Sequence, residues 1–137
     1  NAENATGERS DVVEILTGDI ITPKDFPFTI EAKHYDDFKF SHLLHGENKL
    51  LDGWLESAIK DADLAKRLPM IMAKFSYIGS YAVFDYKIIK TDDGICPSTY
   101  FENHLIYKRK WMMISFDEFV NVKNVIVDMA RLKLRQL

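Results

Sequence analysis

Three residues in the first quarter of the chain have the types and spacing of a hydrolytic centre: Asp19, just after Gly18, and Glu31 and Lys33 within the run "FPFTIEAKHY". In a strand, residues i and i+2 share a face, so Glu31 and Lys33 are neighbours on one side of whatever sheet carries them. Asp19 precedes them across a turn forced by Pro23 and Pro27, and the three side chains converge if the strands before and after that turn pair. Two facing carboxylates repel unless a cation sits between them, and hard divalent ions such as Mg²⁺ take oxygen ligands of this type. A lysine alongside can orient a water or balance the charge that builds on a phosphate under attack. In outline this is phosphodiester cleavage. The competing reading is plainer: an acid two residues before a lysine also describes an ordinary ion pair on the surface of a strand.

Those residues need strands to hold them. "DVVEILTGDIIT" is rich in β-branched residues and reads as one long or bent strand interrupted at Gly18, with "FTIEAKH" returning antiparallel beside it. Tyr35 to Lys49 shows no clear period and reads as a loop. From Leu50 the pattern changes: Leu51, Trp54, Leu55, Ala58, Ala62 and Ala65 form a helical stripe that Pro69 should end. "PMIMAKF" and, after a turn at Gly79, "YAVFDYKII" read as strands, as does the late "WMMISF". Asp117 is placed to cap a final helix, along which Phe119, Val122, Val125, Ile126, Met129 and Leu132 keep helical spacing. This order of elements predicts helices packed on a mixed sheet. Trp54 lies on the apolar stripe and belongs in the core. His34 alternates with Lys33 and faces away from the acids, in a structural or surface role. His42 and His45 stand three apart without a Cys or other obvious third ligand, which argues against zinc.

A chain of 137 residues, 47% apolar and 28% charged, suits one soluble domain with a single core. We take it to span 3–137, setting Asn1 and Ala2 aside as the remnant of an expression tag. No apolar stretch approaches the roughly 18 residues of a membrane span, and no secretory leader is evident. The lone Cys96 suits a reducing, cytoplasmic compartment. The net charge of −3 hides an asymmetry: from His104 onward Lys108, Arg109, Lys110, Lys123, Arg131, Lys133 and Arg135 outnumber Asp117, Glu118 and Asp128. That basic third is either a solvated face or a surface for phosphates. The run Lys108, Arg109 and Lys110 poses the same choice in miniature, and Lys74, at the end of its strand, is a further candidate phosphate contact.

"GDIIT", a short spacer and "FTIEAK" together resemble the signature of the PD-(D/E)xK nuclease superfamily, with Gly18 where the family places a proline before the acid. "LLDGWLESAIKDADLAKRLPMIMAKF" is similar in order and length to the tryptophan-bearing helix and proline-opened strand that follow the motif in its resolvase-like phage and archaeal members. The late "WMMISFDEFV" resembles their closing strand and helix. The likeness, over Val12 to Phe75, is greatest to phage-type Holliday junction resolvases. It departs at Ser57, where relatives frequently carry a glutamine, and at "ENATGERS", where an acid-bearing helix is common. The resemblance implies an α/β, restriction-endonuclease-like core with a mixed sheet flanked by helices, and Mg²⁺ as cofactor, Mn²⁺ substituting. Asp19, Glu31 and the Ala32 carbonyl would hold the metal, and Lys33 would position the attacking water. DNA would be the partner, contacted by Lys74, Lys108, Arg109 and Lys110. Symmetric cutting of a junction would require a two-fold homodimer. Two alternatives differ in substrate or class: a restriction- or repair-type nuclease on linear DNA, and a DNA-binding domain of nuclease fold that does not cut.

Overall fold

The computed structural model describes residues 25–36, 48–92, 94–95 and 101–137. The expected first strand with Asp19, its antiparallel pairing with "FTIEAKH", and His42, His45 and Cys96 lie outside the described residues. Within them the order is β1 (Phe28–Tyr35), α1 (Lys49–Ala65), β2 (Leu68–Phe75), β3 (Gly79–Asp85), a 3₁₀ turn at Tyr86–Ile88, a short hairpin of β4 (Lys90–Thr91) and β5 (Gly94–Ile95), β6 (His104–Tyr107), β7 (Trp111–Ser115) and α2 (Phe116–Arg135). Five strands form one sheet in the order β1-β2-β3-β7-β6. β1 and β2 are parallel, joined by the crossover through α1, and the other pairs are antiparallel. This mixed sheet with a helix on each face is the α/β, restriction-endonuclease-like architecture expected from the sequence.

Alternation along the strands divides the core in two. Phe28 and Ile30 point to the α2 side, with Met70, Phe84, Met112 and Ile114, and pack on Phe119, Ile126 and Ala130 of the helix. Ile71, Ala73, Val83 and Met113 point the other way and pack on Leu51, Leu55 and Ala58 of α1. Each large side chain removed from water in these layers contributes about 1.5–3 kcal/mol before the entropy of ordering is subtracted. Trp54 stacks on Phe75 with ring centroids 6.3 Å apart, a core role as expected.

Four boundaries differ from the sequence reading, each because a local hydrogen bond or backbone angle intervenes. α1 begins at Asn48, whose side chain accepts the Leu51 N–H at 2.9 Å. It ends at Lys66, which adopts a left-handed conformation (φ 56°), with the Arg67 N–H donating to the Ala62 carbonyl at 2.9 Å. Pro69 therefore does not stop the helix but lies within β2. β3 stops at Asp85, whose carboxylate accepts the Lys87 N–H and starts the 3₁₀ turn. The cap of α2 is Ser115, accepting the Glu118 N–H at 3.2 Å, so Phe116 is helical and Asp117 sits in the first turn. β6 is an additional strand. It pairs with β7 through a turn in which Lys108 and Arg109 both have positive φ (51° and 59°), the backbone of a tight hairpin.

Candidate active site

β1 places Glu31 and Lys33 as the alternation requires, on one face, with the Lys33 ammonium 3.6 Å from Glu31 Oε1. Their partners on β2 are Ile71 and Ala73, both in the layer beneath α1, so the pair belongs to that side of the sheet. Glu31 is only 2% exposed. The plain reading of a surface pair does not describe it. Taking a carboxylate out of water costs several kcal/mol, and a nearby ammonium offsets part of that cost. Glu31 and Lys33 stand two residues apart on one strand, so the contact between them is local to β1. Thr29 continues the same face two residues earlier, is 3% exposed, and its hydroxyl has no hydrogen-bond partner among the described residues. The sequence reading did not single it out, although extending the period-2 stripe from Glu31 would have found it. Asp19, the third member of the expected centre, lies outside the described residues.

The opposite face of β1 is occupied differently. His34 Nε2 lies 3.0 Å from Ser76 Oγ and 3.3 Å from Asp36 Oδ1, and Ser76 donates to Asp36 at 2.6 Å. A serine, a histidine and an aspartate are thus in contact, but serine and acid meet the same ring nitrogen. A hydrolytic triad needs them on opposite nitrogens, so that the acid orients the base toward the nucleophile. The cluster instead ties the end of β1 to the β2–β3 turn, which agrees with a structural role for His34. Lys74 is exposed, opposite His34 and Ser80 in the strand register. It borders a cleft of about 420 Å³ with Lys33, His34 and Ser80 over Met72 and Phe116, and no carboxylate of the described residues lines it. The Ala32 side chain also faces this cleft.

Lys108, Arg109 and Lys110 are not brought to this place. They form the turn between β6 and β7, at the edge of the sheet four strands from β1, or about 19 Å at 4.8 Å per strand. Lys108 bonds Asp52 of α1 at 2.9 Å, and Lys110 sits over the Trp111 ring at 5.2 Å. Tyr107 completes the cluster, donating to Asp52 at 2.7 Å and accepting the Asn48 N–H at 2.8 Å. Partial burial raises the Asp52 pKa, but the Lys108 and Tyr107 hydrogen bonds outweigh it and hold the carboxyl below its ordinary value. Burial, reinforced by donation to Asp52, raises the Tyr107 hydroxyl. Ser57 and Glu56 are on the exposed side of α1.

Among the described residues no three His, Cys, Asp or Glu side chains gather as a metal cluster. No helix among these residues is long and apolar enough to cross a membrane. None of the curated proteins and none of the solved structures compared with the chain matches it. A family model described as "Phage putative PDDEXK endonuclease" matches residues 2–128. With a match that spans both β1 and the closing strand and helix, the chain belongs to this phage PD-(D/E)XK endonuclease family.

Proposed function

We propose that the protein is a Mg²⁺-dependent endodeoxyribonuclease that hydrolyses phosphodiester bonds of branched DNA, as a Holliday junction resolvase does. The observation that carries this reading is the burial of Glu31 with Lys33 at 3.6 Å on one strand, in a chain whose family is one of endonucleases. The donors suit a hard cation: Glu31 offers carboxylate oxygens, Ala32 its main-chain carbonyl, and Asp19 is the proposed second acid. Bound Mg²⁺, or Mn²⁺ in its place, would supply Lewis-acid stabilisation of the phosphoryl oxygens. Lys33 carries a positive charge that is partly screened from water, where it strengthens its hold on an attacking water and on the developing negative charge. Water attacks phosphorus, the bond to the 3′ oxygen breaks, and the products are a 5′-phosphate and a 3′-hydroxyl. Lys74, on the opposite face of the sheet beside Ala32 and His34, and Lys108, Arg109 and Lys110, on the β6–β7 turn, would touch the DNA backbone away from the reacting phosphate.

Cutting both strands of a junction symmetrically requires a two-fold homodimer. Cleavage of a four-way junction, a fork, a linear duplex and a single strand by the full chain, each with Mg²⁺ and with chelator, tests the proposal. Metal-dependent cutting of the junction in preference to its component duplexes is the expected result. Equal cutting of linear duplex would replace the resolvase by a restriction- or repair-type enzyme. Binding without cutting on every substrate would overturn the catalytic reading.

A further inference from the structure

The turn between β2 and β3 is built against the preferences of its own residues. It is closed by the Ile78 N–H donating to the Phe75 carbonyl at 3.0 Å, with a φ of 67° at Tyr77. Tyr77 is therefore the third residue of a turn with the type II pattern, where glycine or asparagine is usual because a Cβ crowds the backbone. The tyrosine gains no burial in return. Its side chain is fully exposed (106%), and Ile78 beside it is 45% exposed.

The base of the turn, in contrast, is held firmly. The Ser76 N–H donates to the Tyr35 carbonyl at 3.1 Å, and the Ser76 hydroxyl bonds Asp36 and meets His34. The turn thus carries an aromatic residue outside the core beside the end of β1, beyond Lys33 and Lys74. Tyr77 lies beyond Ala73 and Ile71, the β2 partners of Lys33 and Glu31, which at about 3.3 Å per strand residue is roughly 13–20 Å from the pair. Asp36 accepts from Ser76 and lies 3.3 Å from His34, which limits its repulsion of a phosphate backbone.

Building on the nuclease reading above, we propose that Tyr77 is a stacking platform for an unpaired DNA base a few nucleotides from the phosphate engaged at Glu31 and Lys33. The substrate class is then DNA that carries unstacked bases, as at a fork, gap, junction or single-stranded end, because a base inside a continuous duplex has no free face to offer. Tyrosine suits such a platform, since both ring faces are open and stacking on a base depends little on which base it is.

The test uses the full chain without divalent metal, a fork with 2-aminopurine in its unpaired arm, and a fully paired duplex of the same sequence. Wild type is expected to bind the fork more tightly and to change the 2-aminopurine emission. Tyr77→Gly should weaken fork binding roughly tenfold or more, abolish the emission change and leave duplex binding within about twofold. Its thermal midpoint should not fall, since glycine suits the turn, and Tyr77→Trp should retain tight binding. A Tyr77→Gly variant equal to wild type on the fork, or weakened equally on fork and duplex, would overturn the proposal. Cleavage of the fork with Mg²⁺, run in parallel, separates the two readings. Cutting by wild type with unaltered Tyr77→Gly binding removes only the stacking role. Tyr77-dependent binding without cutting removes only the nuclease, and no DNA binding at all removes both.

Discussion

Among the described residues two acid–lysine pairs look alike in sequence composition and differ in everything that surrounds them. Asp52 and Lys108 are 2.9 Å apart and come from α1 and the β6–β7 turn, with Tyr107 donating to the same carboxylate and Asn48 to Tyr107. Every bond in that group fastens the start of a helix to a hairpin. Glu31 and Lys33 are 3.6 Å apart on one strand, a contact local to β1, yet Glu31 is more deeply buried than Asp52. A structural pair is recognised by what it joins. A carboxylate buried at a cost beside a lysine of its own strand is a candidate for chemistry.

The largest effect that would break this contrast is expected at Glu31. Glu31→Gln should reduce Mg²⁺-dependent cleavage at least a hundredfold, the scale of losing one preorganised electrostatic group, while the thermal midpoint stays level or rises because a buried charge is gone. Asp19→Asn should behave in the same way. Wild-type cleavage by either variant would take that residue out of the site.

Lys33→Ala comes next and separates chemistry from stability. Its cleavage rate should fall roughly a hundredfold at saturating Mg²⁺ with metal binding largely intact. Its stability should fall by about 1–3 kcal/mol, less than for a fully buried pair because Lys33 keeps contact with water. Adding Glu31→Gln should restore the stability and not the rate. Denaturant unfolding of the single and double variants measures the first quantity, and single-turnover cleavage measures the second.

At the other pair the same experiments should give the opposite pattern. Tyr107→Phe removes the hydroxyl bonded to Asp52 and Asn48 and should cost about 1–2 kcal/mol, with cleavage per folded molecule unchanged. A loss of rate without a loss of stability would turn the structural pair into a functional one.

The smallest effect is the pH dependence of Asp52. Its folded pKa lies below the ordinary carboxylate value of 3.8, so its ionised form stabilises the fold above that pH. The contribution fades as pH falls through the lower folded value. Asp52→Asn should therefore be less stable than wild type by about 1 kcal/mol at neutral pH, with the gap closing in acid. A gap that stayed constant through the acid range would mean that Asp52 ionisation contributes nothing.

Sequence by itself determined whatever rests on local spacing. The stripe Leu51, Leu55, Ala58 and Ala62 specified α1, the alternation of Phe28 and Ile30 with Glu31 and Lys33 specified β1, and the i, i+2 relation put the acid and the lysine on one face before any neighbour was known. Periods of 3.6 and 2 are written in consecutive residues and need no partner to be read. Only the tertiary structure decided how deep Glu31 lies, because that depends on α1 covering the layer to which β1 and β2 contribute. It also decided that Lys108 meets an acid 56 positions away, that β6 exists just before a run of charges, and that Tyr77 stands in a turn suited to glycine. These features arise where distant segments meet or where one backbone angle is forced by the strands on either side. Neither leaves a periodic trace in the chain.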